Sequence, residues 1–135
     1  MGYLVEYLHL SEYDVGQPGI SLPITLSLAT ISVTTNAKLD TGSTDCIFAR
    51  QYGEQLGLII EDGCLVRIGT ATGIFTTYRH PVTLAVLGHC FDVGVCFAAD
   101  ESFQRNVLGR HGFLEQLVLG LVDYEGKLYL RAYNE

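Results

Sequence analysis

No apolar run in this chain approaches the roughly 20 residues that a membrane-spanning helix requires, so no membrane partner is expected. The opening Met1-Gly2-Tyr3-Leu4-Val5-Glu6 lacks the basic region of a secretion signal. It also lacks the Ser or Thr that a myristoylation motif requires where Glu6 stands. The resulting expectation is a cytoplasmic protein. Basic residues are few, 8 Lys and Arg against 15 Asp and Glu, for a formal net charge of −7. An acidic surface with scattered cations repels phosphate backbones, which argues against a nucleic-acid partner. Among Cys46, Cys64, Cys90 and Cys96 there is no Cys-x-x-Cys spacing, so zinc and redox motifs are absent. On one strand, Cys90 and Cys96 would lie about 20 Å apart, too far for a disulfide. Free, buried thiols are therefore expected, in keeping with a reducing compartment. His9, His80, His89 and His111 offer no metal-ligand spacing and read as surface or structural residues. The adjacent His89 and Cys90 would point to opposite faces of a strand, so they make no nucleophile pair.

No long repeat, low-complexity tract or linker interrupts the 135 residues, which suffice for one compact domain. The apolar share of 48% is high for a monomer of this size and favours a buried subunit interface. Most of the chain reads as short strands. Ile24, Leu26 and Leu28 alternate with Thr25 and Ser27, and Ile31 and Val33 continue the apolar pattern. Leu65 to Ile68 and Ile74 to Tyr78 flank Gly69-Thr70-Ala71-Thr72-Gly73, which reads as the loop of a hairpin. A second hairpin runs from Val82-Val86 through a turn at Gly88-His89 into Phe91-Phe97. Helical spacing appears at Phe48, Tyr52 and Leu56, with Gly57 as a stop, and at Phe113, Leu114, Leu117 and Val118. The end returns to strand, with Leu128, Leu130 and Ala132 inward after a turn at Tyr124-Glu125-Gly126. Its Tyr129, Arg131 and Tyr133 stripe reads as an outer face or as part of a subunit interface.

Within this β-rich frame lies Leu39-Asp40-Thr41-Gly42-Ser43, with Val107-Leu108-Gly109-Arg110 far downstream. Alone, Asp-Thr-Gly is an ordinary turn composition. Paired with Val-Leu-Gly-Arg and a glycine-bounded hairpin in this order, the chain resembles the retroviral-type aspartic proteases and their single-domain relatives, from about Ile20 to Leu130. The resemblance implies a mainly β fold: a closed acid-protease β-barrel with one or two short helices, a single lobe that dimerises. Residues 1–19 would be an N-terminal arm or edge strand and 20–135 the protease domain.

By the same resemblance Asp40 is the catalytic carboxylate. Thr41 ties the two active-site loops together across a dimer axis, and Gly42 and Gly109 permit close backbone approach. Ser43 and Asp45 border the substrate, Val107 and Leu108 wall the pockets, and Thr70, Ala71 and Thr72 form the tip of a flap. The viral enzymes tend to carry Asp at the place of Thr44, where it pairs with the Arg after the second glycine. Here Arg110 is left to pair with Asp45 or another acid. If the Ser43 hydroxyl reaches the outer oxygen of Asp40, it lowers the first pKa of the carboxylate pair. The implied partners are a second copy of the chain and a polypeptide substrate, with no cofactor and no metal. One Asp-Thr-Gly in a chain too short for two lobes makes the homodimer a chemical requirement. Two Asp40 carboxylates across a two-fold axis would share one proton, activate a water and cleave a peptide bond without an acyl-enzyme. The competing readings are a silent dimerisation or peptide-binding module and a structural β protein with an accidental triplet.

Overall fold

The computed structural model describes residues 1–135. Ten strands follow in order: β1 (His9–Glu12), β2 (Ser21–Leu28), β3 (Ile31–Leu39), β4 (Ile47–Phe48), β5 (Cys64–Thr70), β6 (Gly73–Val86), β7 (His89–Ala98), β8 (Val107–Leu108), β9 (Leu117–Val122) and β10 (Lys127–Ala132). The only α-helix, α1, is Arg50–Gln55. Short 3-10 turns occupy Ile60–Asp62, Leu114–Gln116 and Asp123–Glu125. No helix is long and apolar enough to cross a membrane.

The alternation read in β2 places Leu22, Ile24 and Leu26 in the core, and in β6 it does the same for Val82, Leu84 and Val86. These two strands face each other in register, Ile24 opposite Val86 and Leu26 opposite Leu84. The 7-stranded sheet runs β2-β3-β8-β4-β7-β6-β5, and the β2–β6 pairing brings it back on itself. It is a rolled sheet and not the formally closed barrel that the sequence led us to expect. The β4–β8 junction is a single residue pair, Ile47 with Val107, while β5 and the start of β6 project beyond the roll as a hairpin. Phe48, Phe97, Leu84, Leu108 and Phe113 fill its interior.

A second, 3-stranded sheet, β1-β10-β9, lies at the chain ends. His9 pairs with Leu130 and Glu12 with Lys127, and the Tyr13 hydroxyl donates to Asp123 at 2.7 Å. The N-terminal segment thus docks as a strand on the C-terminal hairpin. Leu128, Leu130 and Ala132 point inward as their alternation requires.

Four local expectations are corrected. The β5–β6 loop contracts to Ala71-Thr72, because Gly69, Thr70 and Gly73 continue the ladder. The β6–β7 turn sits at Leu87-Gly88 and not at Gly88-His89; φ is 50° and 81° there, the positive values that a tight type I′ hairpin requires. Phe113, Leu114, Leu117 and Val118 do not share a helix. Leu117 and Val118 pair with Ala132 and Arg131 instead, since a full antiparallel partner outcompetes a helix of barely two turns. Finally, Cys46 and Cys96 are buried but Cys64 and Cys90 are exposed, all four as free thiols.

Phe97 is fully buried where β4 meets β7, with its ring 6.3 Å from Phe48 and 6.0 Å from His80. Phe97→Ala is expected to lower unfolding stability by about 3–5 kcal/mol in urea titrations. A loss under about 1 kcal/mol would show that this contact is not central to the core.

Candidate active site

Asp40 leaves the end of β3, where that strand pairs in parallel with β8, Lys38 opposite Val107 and Leu39 opposite Leu108. Its backbone N–H donates to the Leu108 carbonyl at 3.0 Å, which fixes the loop on the neighbouring strand. A turn follows, closed by Ser43 N–H donating to the Asp40 carbonyl at 3.1 Å. Within it the Gly42 N–H donates to Asp40 Oδ1 at 2.9 Å. The other carboxylate oxygen, Oδ2, has no hydrogen-bond partner in the chain, and Asp40 is exposed.

The loop then crosses the segment after β8. Arg110 N–H donates to the Ser43 carbonyl at 2.9 Å and His111 N–H to the Thr44 carbonyl at 2.8 Å. Gly109 lies between Leu108 and these two donors. A Cβ on it would fall 2.6 Å from the Ser43 carbonyl oxygen and closer still to that of Asp45. The Gly of Val-Leu-Gly is therefore dictated by backbone packed against backbone.

The remaining predicted residues fall out unevenly. Thr41 is exposed beside Asp40, and its hydroxyl has no partner within the chain. Ser43 does not reach Asp40. Its hydroxyl donates to the Asp45 carbonyl at 2.7 Å, the acceptor two residues ahead, while Asp40 Oδ1 is already engaged by Gly42. Asp45 is buried, and its carboxylate pairs with Arg79 of β6 at 2.8 Å. Arg110 is exposed and forms no ion pair with Asp45, because the Asp45 carboxylate turns toward β6. Val107 lines the cleft from β8, whereas Leu108 is fully buried. Thr70 lines the cleft; Ala71 and Thr72 lie exposed at the hairpin tip. The Thr70 hydroxyl accepts from Thr72 N–H at 3.3 Å and lies 2.9 Å from the Gly73 carbonyl, to which it donates.

The cleft between this floor and the β5–β6 hairpin has a volume of about 760 Å³. Asp40, Gly42 and Ser43 border it on one side, and Arg67 to Thr70 with Phe75 on the other. The segment Phe103–Asn106 closes one end. Phe75 stacks on Phe103, centroids 4.8 Å apart and rings 23° from parallel, which ties the hairpin to that segment. Such pairs contribute about 0.5–1.5 kcal/mol beyond burial. Sequence reasoning missed Phe75, Phe103 and the three cations of the cleft, Lys38, Arg67 and Arg105. Of these only Lys38 left a signal: it lies two residues before Asp40, hence on the same face of the chain entering the loop. Burial pushes the nearby Cys46 thiol up to about 12, so thiolate chemistry at neutral pH is unavailable to it.

No protein-family model and no curated protein matches the chain. Among solved structures it is similar to the EIAV protease complexed with the inhibitor HBY-793, with a TM-score of 0.55 and 20% sequence identity. The match covers 70% of this chain and 84% of that one. The chain therefore has a retropepsin-like fold, and at this identity the likeness establishes the fold alone.

Gly109→Ala is expected to separate the two loops of the floor. Urea unfolding should show a loss of about 1–3 kcal/mol, the usual penalty of overpacking. A variant as stable as the parent would mean that the loops part without cost.

Proposed function

We propose that the protein is an aspartic endopeptidase that hydrolyses extended polypeptide segments as a homodimer. The observation that carries this reading is the state of Asp40. Its carboxylate lies at the border of a cleft of peptide-binding size, with one oxygen held by the Gly42 N–H and the other free of partners within the chain. A second Asp40, brought by a second copy, completes the chemistry. Two carboxylates at close range cannot both ionise cheaply, so the pair holds one proton between two macroscopic pKa values. The ionised member takes a proton from a water lying between them as the water oxygen attacks the peptide carbonyl. The protonated member donates to the carbonyl oxygen. Proton transfer to the nitrogen then releases the amine as the C–N bond breaks.

In this reading residues 20–135 are the protease domain and 1–19 an arm. The apolar surface of Leu8 and Leu10 in and beside β1, and of Leu121 and Val122 in β9, is half exposed in the single chain, which suits coverage by a second copy. The β5 edge offers unpaired backbone groups to a substrate strand. Lys38, Arg67 and Arg105 line the cleft of a chain that is otherwise acidic, so substrates with Asp or Glu beside the scissile bond are favoured.

Light scattering at micromolar concentration should give about twice 14.8 kDa. Asp40→Asn should keep that mass while lowering peptide cleavage by at least the ~10²–10⁴-fold that a positioned proton-transfer group contributes. Pepstatin should inhibit the parent protein. A fully active Asp40→Asn variant, or an active monomer, would overturn the proposal. A dimer inert toward a broad peptide library would leave the fold as a silent binding module. Among cleaved peptides, acidic ones should lose their advantage in Arg67→Glu, read as kcat/KM.

A further inference from the structure

Apart from the residues that line the cleft, three side chains converge from distant parts of the chain. His9 of β1, His89 at the start of β7 and Glu135 place their nitrogen and oxygen atoms within 4.8 Å of one another. His9 Nε2 is 3.0 Å from Glu135 Oε2, and His89 Nε2 is 2.9 Å from Glu135 Oε1. The two imidazoles meet edge to face, centroids 5.0 Å apart. We propose that His9, His89 and Glu135 form a binding site for a divalent transition-metal cation of the zinc type.

The orientation of His89 gives the strongest reason. Its Nδ1 is 3.1 Å from the Leu87 backbone carbonyl, which can only accept, so the Nδ1 proton points there. In a neutral ring, Nε2 is then a bare lone pair aimed at a carboxylate oxygen 2.9 Å away. Two acceptors at that separation require a positive centre, either a proton on Nε2 or a metal ion. A proton on His89 Nε2 meets that contact, with His9 donating separately to Glu135 Oε2 through its own Nε2–H. A metal ion uses the second imidazole nitrogen, His9 Nε2, as well. The surroundings match what metal-binding imidazoles and carboxylates show elsewhere: a ring N–H donating to a backbone carbonyl, and a carboxylate steadied by a further bond. That bond runs from Ala132 N–H to Glu135 Oε1 at 2.6 Å.

The dimensions also fit. Zinc with ligands at about 2.0–2.1 Å in a tetrahedron holds its donor atoms about 3.3 Å apart. The two imidazole–carboxylate separations, 3.0 and 2.9 Å, are near this, and all three donor groups lie within 4.8 Å of one another with the His9 ring exposed. Two nitrogens and one oxygen form a donor set suited to zinc or copper and not to calcium or magnesium. Because the ligands come from β1, β7 and Glu135, the ion would clamp β1 and the segment after β10 to the β6–β7 hairpin.

Isothermal titration of metal-stripped protein with zinc chloride tests the site. Cys64→Ser and Cys90→Ser should be introduced first, since both thiols are exposed and compete for zinc. The expected result is one zinc per chain, a rise in Tm that EDTA reverses, and slower protease cleavage within residues 1–12. His9→Gln, His89→Gln and Glu135→Gln should each weaken binding by roughly tenfold or more, since outer-shell partners alone account for about 10–100-fold. All three residues lie at or near the surface, and Glu135→Gln retains an acceptor for the Ala132 N–H, so the variants should fold. Absence of saturable binding would overturn the proposal, leaving a proton-bridged cluster. Equal zinc affinity in parent and variants would overturn it too, placing the ion elsewhere.

Discussion

The close approach of the Gly109 backbone to the loop Ser43–Asp45 is the constraint on which the rest of the molecule depends. β8 contributes only Val107 and Leu108, yet it sits between β3 and β4 and is the seam of the sheet. Its strand pairing alone is slight. The two hydrogen bonds that follow it, Arg110 to Ser43 and His111 to Thr44, extend the seam past the strand ends. Both follow directly on Gly109, where a side chain would collide with the carbonyls of Ser43 and Asp45. The same seam positions Asp40, whose own N–H bonds to Leu108. Stability and the geometry of the cleft floor are therefore one structural matter.

Electrostatics divides the acids of the loop into two roles. Asp45 is buried at the lining of the cleft and already paired with Arg79, so its charge is met within the fold. Asp40 is open and bonded through one oxygen to a backbone amide, so it remains available for chemistry. They are five residues apart on one loop. Burial, and not residue type, separates them. The stacked Phe75 and Phe103 tie the hairpin to the segment after β7, and β5 is the free edge of the larger sheet.

Much of this was legible in the residues. Period-two alternation announced β2, β6, β7 and β10 because each has one face in the core, and the glycine-bounded run announced the hairpin over the cleft. What eluded reading depends on contacts between distant segments. The run Phe113–Val118 satisfies helical and extended spacing alike over so short a length, and only the presence of β10 decides between them. Arg79 and Asp45 meet because β6 passes beside the loop, a fact of topology and not of spacing. Ser43 carries a hydroxyl toward whichever acceptor the turn presents, and the turn presents Asp45. The His9, His89 and Glu135 cluster spans nearly the whole chain, so no ligand-spacing rule could find it.

The parallel pairing of β3 with β8, and of β4 with β7, bears on how the molecule acquires its shape. The strand pairings that hold the cleft floor join residues near 38–48 to residues near 96–108, with the entire β5–β6 hairpin between them. That hairpin and the β6–β7 turn can form early from neighbouring residues. The floor's strand pairings cannot, because the loop-closure entropy of the long intervening segment must be met before they form. Folding should therefore be slow for a chain of this length. During synthesis Asp40 emerges long before the strand that orients it, so the long-range pairing of the cleft floor is expected to follow the local hairpins.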